Sequence, residues 1–139
     1  MINRFSILGS GSWGTALANL LANNGEECLL YTKNNEVFDS ISKDKVNKIY
    51  HPDFKLNKNI KITKNLSEFS IFSDLWIIAI PSKEISSVFK LVNAEILKKK
   101  EFIIASKGID KNSFYTISDV LIKEFNIDSS KIFTISGPN

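Results

Sequence analysis

Apolar residues in this chain fall into short runs separated by amphipathic stretches, and the two alternate along its length. That order predicts strands alternating with helices. The first strand is expected at about Arg4 to Leu8, and the first helix at about Trp13 to Asn24, stopped by Asn24-Gly25. A second strand comes next at about Glu27 to Thr32, then a short helix over Glu36 to Ser42. Lys43 to Asn59 is polar, holds His51-Pro52-Asp53, and reads as a surface loop long enough to be functional. Ile60 to Thr63 alternates as a short strand, and Leu66 to Phe72 fits a helix capped by Asn65 or Ser67.

The run Leu75-Trp76-Ile77-Ile78-Ala79-Ile80 is continuously apolar, as a central parallel strand buried on both faces should be. Pro81 ends it, and Ser82 is expected to cap a helix over Lys83 to Lys99. Ile85, Val88, Phe89, Val92 and Ile96 would form its apolar stripe. Phe102 to Ala105 is another buried strand, and Asn112 or Ser113 would cap a helix from about Phe114 to Phe125. The last strand is Ile132 to Ile135, followed by Ser136-Gly137-Pro138-Asn139. No repeat or low-complexity tract interrupts the pattern. The prediction is one α/β domain over residues 1–139, built on a mainly parallel, doubly wound sheet with helices on both faces.

Gly9-Ser10-Gly11-Ser12-Trp13-Gly14 lies between the first strand and the first helix. A G-x-G-x-x-G pattern alone is weak, but this strand-turn-helix context makes it the pyrophosphate-binding turn of a Rossmann-type dinucleotide fold. Gly9 would allow the tight turn, Gly11 the close approach of pyrophosphate, and Gly14 the packing of helix on sheet. The helix N-terminus adds free N–H groups and the positive end of its dipole.

Composition narrows the classes further. An apolar fraction of 43% with 24% charged residues describes a globular domain. The net charge of +3 comes from 18 basic against 15 acidic residues, and Arg4 is the only arginine. Scattered lysine lacks the arginine forks of a nucleic-acid surface, so no nucleic-acid partner is expected. The single Cys28 sits in an apolar strand and reads as a buried residue. No apolar run approaches the ~18 residues of a membrane helix, and Met1 to Arg4 leads straight into the first strand. A cytoplasmic protein is expected. With His51 as the only histidine, no histidine pair is available to a metal, and no metal site is assigned. His51 itself reads as a loop residue.

The end of the second strand bears on the choice of cofactor. NAD sites commonly place a carboxylate there for the ribose 2′-hydroxyl, and this chain has Thr32-Lys33-Asn34. Lys33 could attract a 2′-phosphate, which favours NADP over NAD; alternatively it is a solvated strand-end lysine. Ligands of open parallel sheets sit outside the carboxyl ends of the strands. Pro81-Ser82, Ser106-Lys107-Gly108 and Ser136-Gly137-Pro138 all fall at such ends. Lys107 there could hold a phosphate or polarise a carbonyl, or could be an exposed loop lysine. Trp13 either packs against neighbouring helices or shields the pyrophosphate.

Taken together, the residues resemble the bacterial NAD(P)-dependent glycerol-3-phosphate dehydrogenases. Five ordered segments carry the likeness: Gly9 to Ala16, Asn47-Lys48-Ile49-Tyr50-His51-Pro52, Ile78-Ala79-Ile80-Pro81-Ser82, Ala105-Ser106-Lys107-Gly108-Ile109 and Ser136-Gly137-Pro138. The resemblance implies that Gly9, Gly11, Ser12, Trp13, Gly14, Lys33, Asn34, Tyr50, Pro81 and Lys107 bind the dinucleotide. Lys33 stands where that family has arginine. The resemblance also implies that Lys107, Gly137 and Asn139 contact the substrate, although the family usually has serine or threonine at the position of Asn139.

The implied activity is hydride transfer between NAD(P)H and dihydroxyacetone phosphate, giving sn-glycerol 3-phosphate for phospholipid synthesis. The family's proton-accepting lysine lies in a helical domain after the Ser-Gly-Pro turn. This chain is therefore expected to be the cofactor domain, with its catalytic residue unknown and the fragment inactive alone. A homodimer stays open for the parent protein. The alternatives are a stand-alone dinucleotide-binding or sensing module, and the cofactor domain of a ketopantoate- or 6-phosphogluconate-type reductase.

Overall fold

In the computed structural model of the chain, residues 3–109, 111 and 113–136 are described. Six strands alternate with helices: β1 (Arg4–Leu8), α1 (Ser12–Asn23), β2 (Glu27–Tyr31), α2 (Asn35–Asp44), β3 (Ile60–Thr63), α3 (Leu66–Phe72), β4 (Leu75–Ile78), α4 (Ser82–Phe89), α5 (Ala94–Lys98), β5 (Glu101–Ile104), α6 (Ile117–Lys123) and β6 (Ile132–Thr134). The strands form one sheet in the order β3-β2-β1-β4-β5-β6, and every pairing is parallel. Chain progression reverses between β1 and β4. A crevice opens at such a reversal, outside the carboxyl ends of the strands.

The period of two along each strand divides the core into two layers. Leu8, Leu29, Trp76, Ile78, Phe102 and Ile104 face one way, packing with Phe69 of α3, Ile85 and Phe89 of α4, and Val120 and Leu121 of α6. Ile7, Cys28, Leu30, Ile60 and Ile77 face the other, under Leu17 and Ala18 of α1 and Val37 and Ile41 of α2. The sheet is thus covered on both sides, as the alternating pattern predicts. Trp76 anchors the first layer. Its indole meets Phe69, Phe102 and Phe89 edge-on, at centroid distances of 4.9, 5.7 and 5.9 Å.

Several boundaries differ from the sequence pattern, each for a local reason. β4 ends at Ile78 rather than Ile80 because Ala79 and Ile80 turn across the glycine loop; a Cβ on Gly9 would lie 2.5 Å from Ala79 O. The helix expected over Lys83 to Lys99 is two helices. The first ends at Phe89, and Asn93 starts the second by accepting Glu95 N–H at 2.8 Å as the cap of α5. Ser82 does not cap α4; Pro81 holds the cap position without a side-chain bond. The helix expected from Phe114 begins at Ile117, because Phe114 is left-handed (φ 59) and Thr116 forms a capping box with Asp119. Asn112 lies outside the described residues. Asn65 does cap α3, and α2 takes in Lys43 and Asp44. The segment between α2 and β3 is not a plain surface loop, because Asn47 and Leu56 are buried in it.

Candidate functional site

The turn from β1 into α1 is shaped by two close approaches. Gly9 carries φ +117, a region that side-chain-bearing residues avoid. Its N–H donates to Tyr31 O across β2 at 3.2 Å. Gly14 sits where a Cβ would drive into Gly9 O, so α1 is seated directly on the turn. Gly11 is different. Its φ is −72, and a Cβ there would meet nothing within 4 Å. The space beside Gly11 is open toward the cleft. Gly11 is also the N-cap of α1 and offers no side-chain cap, so the first-turn N–H groups keep no intrahelical acceptor. Free N–H groups at the positive end of a helix dipole suit an anion.

A cleft of about 940 Å³ opens beside this turn at the reversal between β1 and β4. Gly9, Gly11, Ser12, Trp13, Lys33, Asn34, Tyr50, Pro81 and Lys107 all line it, so elements far apart in sequence converge there. Gly14 lies buried beneath the turn rather than in the lining. Gly137 and Asn139 lie outside the described residues, while their neighbour Ser136 lines the cleft. Trp13 is 51% exposed at the cleft and does not pack into the helix layer.

Each wall has its own support. At the end of β2, buried Thr32 accepts Asn34 N–H at 3.1 Å, and Asn34 Oδ1 accepts Val37 N–H at 3.0 Å. Asn34 is thus first a helix cap. The locked turn leaves Lys33 exposed at the cleft edge. Beyond β5, the Ser106 hydroxyl lies 2.6 Å from Ile80 O and 3.1 Å from Ile78 O, which ties the turns after β4 and β5 together. Exposed Lys107 is held beside that tie. Tyr31 forms part of the floor, and burial raises its phenol above the ordinary range. Among the described residues, no group of three histidine, cysteine, aspartate or glutamate side chains is arranged to hold a metal.

Three contributors were not visible as site residues in the pattern of the chain. Tyr31 reads there as ordinary core. Glu84 lines the cleft from the first turn of α4. The signal for it was its place just after the ligand-edge turn Pro81-Ser82. Asn47 opens one of the segments that carry the resemblance, but nothing there gave it a role, because a polar residue in a polar segment looks solvated. It is fully buried against the glycine loop. His51 is the loop residue expected, yet its Nε2 lies 2.7 Å from Ser12 O. A carbonyl can only accept, so Nε2 is the donor in this contact.

The residues fit a dinucleotide on structural grounds: open space at Gly11, uncapped N–H groups at α1, and a cleft running from Lys33 to Lys107. This sheet and cleft define a dinucleotide-binding domain of Rossmann type. Residues 4–139 match the family described as NAD-dependent glycerol-3-phosphate dehydrogenase N-terminus, and the chain belongs to that family.

The chain is 38% identical over 138 residues to a glycerol-3-phosphate dehydrogenase [NAD(P)+] of Halothermothrix orenii, covering 99% of this chain and 40% of that protein. A relative of the same name from Staphylococcus epidermidis is 36% identical over 139 residues, covering 99% and 42%. The structure superposes on glycerol-3-phosphate dehydrogenase from Coxiella burnetii with a TM-score of 0.82 and 26% identity, covering 99% of this chain and 41% of that one. The chain therefore spans about two fifths of the length of these relatives. Family membership sets aside the ketopantoate- and 6-phosphogluconate-type reading. No described helix is long and apolar enough to cross a membrane.

Proposed function

We propose that these 139 residues hold NAD(P)H in a glycerol-3-phosphate dehydrogenase that interconverts dihydroxyacetone phosphate and sn-glycerol 3-phosphate. One observation carries the reading: the uncapped glycine turn opens into a single cleft that also gathers Lys33, Tyr50 and Lys107. The cofactor supplies the hydride, and the protein supplies binding, orientation and charge. In this reading Gly11 and the first turn of α1 take the pyrophosphate. Ser12, Trp13, Asn34, Tyr50 and Pro81 border it. Lys33 pairs with a ribose 2′-phosphate, which favours NADP. Lys107, at the far end of the cleft, holds the phosphate or carbonyl oxygen of the substrate; Gly137 and Asn139 are further proposed substrate contacts. The substrate is a small phosphorylated triose. A cytoplasmic setting accords with the reading, because NAD(P)H is maintained there.

Calorimetric titration of the chain with NADPH and NADH tests the cofactor part. Saturable binding of both, tighter for NADPH, is expected; binding of neither would overturn it. Oxidation of NADPH on addition of dihydroxyacetone phosphate tests the substrate part, with the whole protein. There, Lys107→Ala should weaken use of the phosphorylated substrate more than cofactor binding. Equal loss of both would remove Lys107 from the substrate site.

A further inference from the structure

Asn47 is 0% exposed, and every polar atom of its side chain is used. Nδ2 donates to Ser10 O at 3.0 Å and to Thr15 Oγ1 at 2.9 Å. Oδ1 accepts Tyr50 N–H at 3.2 Å. Its backbone carbonyl accepts His51 N–H at 2.8 Å, and His51 in turn reaches Ser12 O. The segment after α2 is thereby fastened to the glycine turn over sequence separations of 32 to 39 residues.

The Ser10 carbonyl governs the orientation of its neighbour at the cleft. In a trans peptide the C=O and the following N–H point in opposite directions, and the described chain has no cis peptide. Anchoring Ser10 O on Asn47 and on the Thr15 hydroxyl, which donates to it at 3.1 Å, turns the Gly11 N–H the other way. Gly11 lines the cleft on that side. The opposite orientation of this peptide would bring a carbonyl dipole against an incoming anion and leave a buried Asn47 donor unpaired, which is costly.

We infer that Asn47 is the positioning residue of the anion-binding turn: it sets the plane of the Ser10–Gly11 peptide so that the Gly11 N–H faces the cleft, and through Oδ1 it holds Tyr50 at the same cleft. This rests on the reading of the cleft as a dinucleotide site. Asn47 touches no ligand itself. Its effect is confined to the part of the ligand that the turn meets, the pyrophosphate.

The test compares the protein with Asn47→Asp and Asn47→Ala, each checked for folding by its amide NMR spectrum. NADPH binding is measured by calorimetry, and adenosine, which lacks phosphate, by chemical-shift titration. A folded variant should bind NADPH ~10-fold or more weakly, the loss of one charge-assisted hydrogen bond, while adenosine binding hardly changes. In the unmodified protein, inorganic pyrophosphate should move the Gly11 amide resonance downfield, a result that needs no variant to fold. A folded Asn47 variant with undiminished NADPH affinity would overturn the inference. So would equal losses for NADPH and adenosine, which mark a general structural role, or a Gly11 amide indifferent to pyrophosphate. If the unmodified protein fails to bind NADPH at all, the dinucleotide reading falls and the inference with it.

Discussion

Replacing Gly11 by valine should separate the fold from the ligand. The backbone at Gly11 has φ −72, which valine can adopt, and a Cβ would point into space free of protein atoms to 4 Å. Valine is a poorer N-cap than glycine, at a cost of about 1 kcal/mol, and it restricts the unfolded chain, which returns about 0.4–1 kcal/mol. The two nearly offset, so the melting temperature should move by only a few degrees. Binding should suffer much more. The branched side chain would fill the approach to the uncapped N–H groups of α1, and losing one hydrogen bond to a charged phosphate costs about 1.5–3 kcal/mol. NADPH affinity should fall at least ~10-fold, equivalent to about 1.4 kcal/mol.

Gly14→Ala is the opposite control, because its Cβ would collide with the backbone of Gly9 rather than with a ligand. Backbone cannot yield as a flexible side chain does, so a loss of about 1–3 kcal/mol of stability or more is expected. Calorimetry and thermal melting of the two variants give the comparison. A Gly11→Val protein that melts normally and binds NADPH at full affinity would refute the assignment of the turn.

Lys33→Asp should weaken NADPH more than NADH, since a carboxylate at the exposed cleft edge repels a 2′-phosphate; equal losses in calorimetry would make Lys33 a solvated lysine. Burial, and secondarily Glu26, pushes the Cys28 thiol up to about 12, so iodoacetamide at pH 8 should label it only when the domain unfolds, as mass spectrometry would show. Trp76→Ala should cost about 3–5 kcal/mol in denaturant unfolding, because the indole is fully buried among Phe69, Phe89 and Phe102. The Asp119 carboxyl is held below its usual range, chiefly by the Thr116 hydroxyl. Its contribution is therefore present above the ordinary carboxylate pKa of about 4 and lost as pH falls through the lowered folded value. Asp119→Asn should flatten the acid limb of the stability profile, and an unchanged limb would remove the capping box from the account.

Much of this protein is determined locally, and that much is legible in the chain. The Gly9-Ser10-Gly11-Ser12-Trp13-Gly14 spacing, the continuous apolar run before Pro81, and the stop at Asn24-Gly25 each act over a few residues, so their meaning survives without neighbours. From them came the parallel sheet, its helix cover and the edge on which ligands would gather. Where local signals competed, the chain alone was ambiguous. Val92 and Ile96 extend the stripe of α4, yet Asn93 between them caps a separate helix, α5. Phe114 carries no turn signal, but the connection into α6 puts it in the left-handed region, 83% exposed. Asn47 is the furthest case. Its burial, its hold on Ser10 and Thr15, and its orientation of a peptide more than thirty residues earlier exist only after β1, α1 and α2 have packed. A polar side chain in a polar stretch is indistinguishable from a solvated one until tertiary contacts exclude water from it. The sequence supplied the groups that could meet a dinucleotide; only the packed structure decided which of them face the cleft and which hold the others in place.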